Sequence, residues 1–184
     1  VARLPYPPRD QLPADLAELL GGLRRNNVTE ILAHAQSLIG PFLRLAQANF
    51  TALELSDRQR ELIILAVSGL VDCDYEFVQH VPMFEVVGID ADLRDRIRAG
   101  DFEAPAEPGE RVLLSFVAAI IGGPRVSDDV FAAARGYLDD RQIVEVLQVV
   151  GFYWGVGRLC TVLELELDFP EGLESITAVA NIRS

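Results

Sequence analysis

The stretch SDRQRELIILAVSGLVDCDYEFVQHVPMFEVVG, residues 56–88, decides the fold. Ser56 and Gln59 have the spacing of a capping box, in which each side chain satisfies one orphan backbone donor at a helix start. The residues that follow, Leu62, Ile63, Leu65, Ala66 and Leu70, recur at helical rather than alternating spacing. Asp72 stands where it can cap a second helix, running from Cys73 to about Val87. The stretch therefore reads as two helices joined by a short turn, and the expected fold class is all-α.

Working outward gives the same answer. Pro13 can open a helix carrying Leu16, Leu19, Leu20 and Leu23, and Gly21-Gly22 weakens its end. Val28 to Phe50 is helical in pattern, with Pro41 expected to split or kink it. Asp90 or Asp92 starts a short charged helix ending near Gly100, and the acid- and proline-rich DFEAPAEPG forms a loop. Helices fit Glu110 to Ile121, Ser127 to Leu138, and Asp140 to about Leu167, for about eight in all. Gly151, Gly155 and Gly157 sit inside the last one. Glycine in a helix costs roughly 1 kcal/mol relative to alanine, so close backbone packing and a tolerated kink are both open. Residues 1–9 hold three of the ten prolines and read as an extended arm. Residues 10–184 are expected to be one helical domain.

Half of the 184 residues are hydrophobic, which is ample for a core, and the formal net charge is -12. Such a chain is repelled by phosphate backbones and by anionic lipid surfaces, so neither nucleic acid nor membrane is an expected partner. The longest apolar candidate, Val112 to Ile121, is too short for a bilayer and is interrupted by Ser115. The N-terminal VARLPYPPRD has no apolar signal-peptide core, and a cytoplasmic location is expected. Cys73 and Cys160 do not form a disulfide framework, and whether they pair cannot be read from spacing. Two histidines exclude a multi-histidine metal site within one chain. No metal or cofactor is expected.

Candidate chemistry lies at Glu61, Cys73, Glu76 and His80. Residues three and four apart stack on one helical face, so Cys73, Glu76 and His80 are expected to point the same way. Phe84 and Val87 continue that face, which places the polar cluster on an apolar stripe. An inward Glu–His pair is costly unless the two groups satisfy each other. Glu61 lies among Leu62, Ile63, Ile64 and Leu65, an improbable setting for a surface acid. A carboxylate beside an imidazole raises its pKa and fixes its tautomer, and such a pair can move a proton near neutral pH. Cys73, in a helix first turn, is favoured as thiolate by the helix dipole and disfavoured by Glu76.

Glu61, Cys73-Asp-Tyr-Glu76 and His80, followed by Pro82 and Gly88, resemble the carboxymuconolactone decarboxylase and alkylhydroperoxidase D superfamily. The upstream LSDRQRELIILAVS and downstream DRQIVEVLQVVGFYWGVGRL are similar to it as well, so the likeness covers roughly residues 25 to 168. The resemblance implies an alkylhydroperoxidase D-like helical bundle and a homo-oligomer, commonly trimeric or hexameric, with a dimer also open. In the peroxidase branch it implies a Cys-x-x-Cys pair with an upstream glutamate and a following histidine. Glu61, Cys73 and His80 match that pattern, but Glu76 replaces the second cysteine. In the decarboxylase branch it implies a Glu-x-x-x-His element, which Glu76 and His80 match.

Three functions follow as expectations. The first is a cofactor-independent lyase, decarboxylase or isomerase acting on a small organic acid or lactone, with His80 as acid/base, Glu76 orienting it and Glu61 completing the relay. The second is an atypical thiol peroxidase using Cys73, with Cys160, another subunit or a small thiol resolving it. The third is a non-catalytic helical assembly subunit, in which Glu76 and His80 are a satisfied structural pair. For Glu61 the structural alternative is a salt bridge to an arginine, such as Arg58 or Arg158. Arg158, Tyr153 and His34 are candidate substrate-binding residues: Arg158 for its planar fork, Tyr153 as an aromatic wall or core residue, and His34 as a pocket wall or core-edge histidine.

Overall fold

The computed structural model describes residues 1–23 and 25–168. Among them a short 3-10 turn, Arg9–Gln11, precedes nine α-helices and there are no strands. The helices are α1 (Ala14–Gly21), α2 (Asn27–Leu32), α3 (Gln36–Thr51), α4 (Asp57–Leu70), α5 (Asp74–Val86), α6 (Ala91–Arg98), α7 (Pro108–Gly122), α8 (Asp128–Tyr137) and α9 (Asp140–Leu163). The 10–184 domain boundary ends outside the described residues.

Local chemistry explains most of the helix ends. Ser56 and Gln59 make the reciprocal capping box that starts α4, and Asp139 with Gln142 makes a second one at α9. Asn26, Asp90 and Ser127 cap α2, α6 and α8 through their side-chain oxygens. Two expected boundaries move. The break in 28–50 comes at Ala33–Ala35, not at Pro41, which is carried inside α3. Asp72 does not cap α5. It takes a left-handed backbone (φ 52°) in the turn, and Cys73 is the N-cap residue without a side-chain cap bond.

α4 is the central element. Every residue from Arg60 to Ser68 is buried, and the helix packs against α5, α6, α7 and α9. Burial of a side chain such as Ile63, Ile64 or Leu65 contributes about 1.5–3 kcal/mol. A helix enclosed on all sides has no wet face for a stray charge, so Glu61 on it is fully buried. Two close approaches tighten this packing. A Cβ at Gly69 would stand 2.7 Å from the Arg98 carbonyl oxygen where α6 passes. A Cβ at Gly157 would stand 2.7 Å from Val71 Cγ2 and 3.6 Å from Cys73 Cβ. Gly157 is thus the member of the α9 glycine trio that admits a neighbour, since Gly151 and Gly155 meet nothing within 4 Å.

The N-terminal arm lies along its own chain. Arg3 N–H donates to the Leu163 carbonyl (2.8 Å), and Tyr6 Oη–H donates to Glu166 (2.9 Å). The segment after α9 is held from the other side by Asp168, which accepts from Asn27 N–H (2.6 Å) and Gln79 (2.9 Å).

Contrary to the run-length expectation, α9 is long and apolar enough to cross a membrane by length and composition, with mean hydropathy 1.4 in its most apolar stretch. Its apolar residues are spread around Glu145, Gln148 and Arg158, so no uninterrupted run reveals them. Val146, Val149, Val150 and Tyr153 on this helix belong to the core.

Gly157→Ala is expected to lower stability by about 1–3 kcal/mol through overpacking against Val71. Gly136→Ala, on open helical surface, is expected to raise it by about 0.5–1 kcal/mol. Urea unfolding of the two variants checks the contrast, and equal effects would contradict the close approach of α9 to the turn between α4 and α5.

Candidate functional site

Two adjacent helices bring the catalytic candidates together. α4 supplies Glu61 (0% exposed), and α5 supplies Glu76 (6%) and His80 (5%). The Glu61 carboxylate is divided between two partners. Oε2 meets His80 Nδ1 at 2.8 Å, and Oε1 accepts from Arg60 Nε at 3.0 Å. Arg60 is buried as well, and its other donor reaches the exposed Asp57 (2.7 Å). With Glu61 occupying Nδ1, the opposite nitrogen of His80 faces Glu76, Nε2 to Oε2, at 3.9 Å. That separation is an ion-pair contact, too long for a hydrogen bond.

Aromatic rings wall the imidazole. Tyr153 from α9 meets it edge-on with ring centroids 5.3 Å apart. Phe50 from α3 stacks on it at 6.2 Å, and Phe84 lies at 6.0 Å. The Arg60 guanidinium also sits over the Phe50 ring, 4.7 Å from its centroid.

This setting shifts both titrating groups. Burial pushes the Glu76 carboxyl up, helped by the charge of Glu61 and only partly opposed by His80, to about 7. For His80, burial works against the imidazolium, but the charge and hydrogen bond of Glu61, with Glu76 beyond, outweigh it and raise the pKa. The arrangement is a buried base held in one tautomer by Glu61, with an acid of near-neutral pKa at its free nitrogen. It can hold a proton, deliver it from Nε2 and recover it from Glu76.

The expected single face of Cys73, Glu76 and His80 divides in two. Cys73 sits at the N-cap rather than in the first turn, so its side chain joins Tyr75, Val156 and Cys160 in a separate cluster. The contacts of the acids are also the reverse of those expected: Glu61 bonds His80 Nδ1, and Glu76 faces Nε2 without a hydrogen bond. Glu61's arginine partner is Arg60, not Arg58, which pairs with Glu110 (2.6 Å), and not Arg158, which is exposed. Of the substrate-binding candidates only Tyr153 reaches His80. His34 lies elsewhere, its Nε2 at 2.8 Å from the Pro5 carbonyl, where it holds the N-terminal arm. Among the described residues no group of three or more His, Cys, Asp or Glu side chains stands in metal-binding geometry.

Arg60 and Phe50 were missed by sequence reading. Adjacent helical residues do not face each other, so Arg60–Glu61 carries no spacing signal. The signal that was there is an Arg60-Glu61 pair of opposite charges placed directly before an aliphatic run.

No protein-family model and no curated protein matches the chain. Solved structures do. An uncharacterized peroxidase-related protein from Ralstonia eutropha JMP134, described as an alkylhydroperoxidase AhpD core, superposes with TM-score 0.79 at 20% identity, over 98% of this chain and 97% of that one. An uncharacterized peroxidase-related protein from Silicibacter sp. TM1040 gives TM-score 0.76 at 22% identity, over 91% and 92%. A protein of unknown function from Agrobacterium tumefaciens, described as a putative antioxidant defence protein AhpD, gives 0.67 at 20% identity, over 76% and 96%. At these identities the likeness establishes the fold: the chain is an all-α, AhpD-like bundle.

Raised pKa values carry a sign. Between the ordinary carboxyl value and about 7, native Glu76 holds a proton that the unfolded chain has released, so stability falls as pH rises through that window. His80, also raised, loses its stabilising contribution as pH climbs above its unfolded value, in the same direction. Glu76→Gln is expected to remove about 3 kcal/mol of this slope between pH 4.5 and 7. Urea unfolding across that range checks it, and an unchanged slope would contradict the buried, protonated Glu76.

Proposed function

We propose that this chain is a cofactor-independent acid–base enzyme, a lyase/decarboxylase or isomerase acting on a small organic acid or lactone. The observation that carries the proposal is the 2.8 Å contact of Glu61 with His80 Nδ1 inside the core, which leaves Nε2 as the working nitrogen beside Glu76. His80 is the proton donor and acceptor at substrate carbon. Glu61 fixes its tautomer and balances the imidazolium. Glu76, titrating near neutrality, returns the proton to Nε2.

In the decarboxylase form, the bond to the carboxylate carbon breaks and carbon dioxide leaves. The electron pair stays on the substrate, spread into a neighbouring carbonyl, and Nε2–H protonates the carbon. The isomerase form removes and returns a proton at the same nitrogen. The aromatic walls keep water from competing for that proton.

A screen of small lactones and keto acids in deuterated water tests this reading. Wild-type protein is expected to turn over a substrate and to incorporate deuterium at carbon. His80→Gln is expected to lose about 10²-fold or more in rate. Equal turnover and equal incorporation by His80→Gln would overturn the assignment.

The same proposal includes a homo-oligomer. Val144 (56% exposed), Leu147, Trp154 (48%) and Val162 lie on α9 with the open glycines Gly151 and Gly155, a largely apolar strip interrupted by the exposed Arg158, along the helix that also carries Tyr153. Sedimentation is expected to give a multiple of the chain mass for wild type and a smaller species for Trp154→Asp. A wild-type monomer at all concentrations would contradict it.

A further inference from the structure

The two cysteines, far apart in sequence, belong to one cluster. Cys73 at the start of α5 and Cys160 near the end of α9 pack with Val28, Tyr75 and Val156, and the two thiols lie within interaction range of each other. The close approach at Gly157, one turn before Cys160, sets this meeting of the helices. Both sulfur-bearing residues line a cavity of about 220 Å³ with Tyr75, Thr161, Leu165 and Leu167, and Asp72, Asp74 and Glu164 are acidic members of its wall. The buried Tyr75 hydroxyl has the Asp168 carboxylate nearby but no partner in hydrogen-bonding geometry among the described residues.

We propose that Cys73 and Cys160 form a reversible intramolecular disulfide, an oxidation site separate from the His80 centre, reached through this cavity by small two-electron oxidants that carry no negative charge. The proposal does not rest on the acid–base reading. Its motivation is that two free thiols meet across two helices at a cavity with an unused hydroxyl donor.

Cys73 is the attacking group. It stands at the N-cap of α5, and its interaction with the Cys160 thiol lowers its pKa against the opposing effect of burial, aided by the backbone N–H groups of Glu76 and Tyr75, while Cys160 is pushed up and keeps its proton. With hydrogen peroxide, the Cys73 thiolate attacks one oxygen and the O–O bond breaks. The departing hydroxide takes up the proton released by the thiol and leaves as water, which gives Cys73 sulfenic acid. The Cys160 sulfur then attacks the sulfenic sulfur. The S–S bond forms, and the hydroxyl departs with the Cys160 proton as a second water. Two electrons pass from the two thiols to one peroxide. The Tyr75 hydroxyl is kept protonated by burial, and Tyr75 lines the same cavity as the two cysteines.

Asp74 is paired with Arg98 and Glu164 with Arg3, so the uncompensated charge of the wall is that of Asp72, and it sets which oxidant enters. Carboxylates repel an anionic disulfide and attract a cationic one, an effect that salt screens.

The test treats wild-type protein with one equivalent of hydrogen peroxide and maps it under non-reducing conditions. The expected product is a monomeric chain that has lost two hydrogens, with a cross-linked Cys73–Cys160 peptide that dithiothreitol reverses. Cys160→Ser is expected to stop at Cys73 sulfenic acid, trapped by dimedone, and Cys73→Ala to leave Cys160 unmodified. At low salt, cystamine is expected to oxidise the pair several-fold faster than glutathione disulfide, the gap closing in salt. Two thiols still free after peroxide, a disulfide only between chains, or modification of Cys160 before Cys73 would each overturn the proposal.

Discussion

A carboxylate with no exposed surface needs partners, and Glu61 has two: the imidazole of His80 and the guanidinium of Arg60. Taking two charges out of water costs several kcal/mol each, and removing one partner of such a pair leaves the other buried and uncompensated. The surrounding structure is consistent with that constraint. α4 is enclosed by four helices, α5 is set so that His80 faces back toward α4, and Arg60 runs from the core to Asp57 at the surface. The aromatic rings of Phe50, Phe84 and Tyr153 then close around the imidazole, and in that low-dielectric setting Glu61 fixes which nitrogen is left without a hydrogen-bond partner among the described residues.

Glu76 connects two pieces of chemistry on one helix. It faces His80 Nε2, and its charge is also felt by Cys73 and Cys160. Its backbone N–H supports the Cys73 thiolate while its carboxylate opposes it. The thiol pair and the imidazole therefore occupy neighbouring environments that share one titrating acid.

Much of the fold was legible because its signals are local. The capping box at Ser56 and Gln59, the caps at Asp90 and Ser127, and helical spacing in 56–88 each depend on a few consecutive residues. What failed depended on tertiary context. Pro41 looked like a breaker, but α3 accommodates it and the chain breaks at Ala33–Ala35 instead. Asp72 looked like a cap because its side chain suits one, yet the tight turn into α5 demands a left-handed residue there. In the site, Glu61, Glu76 and His80 were visible because polar residues on an apolar stripe need a reason. Their division of labour was not, since which acid bonds which nitrogen depends on the α4–α5 crossing. Arg60 was hidden by adjacency, and the meeting of Cys73 with Cys160 by distance along the chain. His34 and Arg158 were plausible by residue type alone, and type alone did not place them.

The Glu61–His80 bond is most directly tested by NMR titration of the imidazole, which two histidines make easy to assign. His80 in wild-type protein should titrate above 6.5, with the proton on Nδ1 held in the neutral form, and its pKa should drop below that of wild type in Glu61→Gln. A His80 that titrates at or below 6.5 and is indifferent to Glu61→Gln would show that no such bond organises the site.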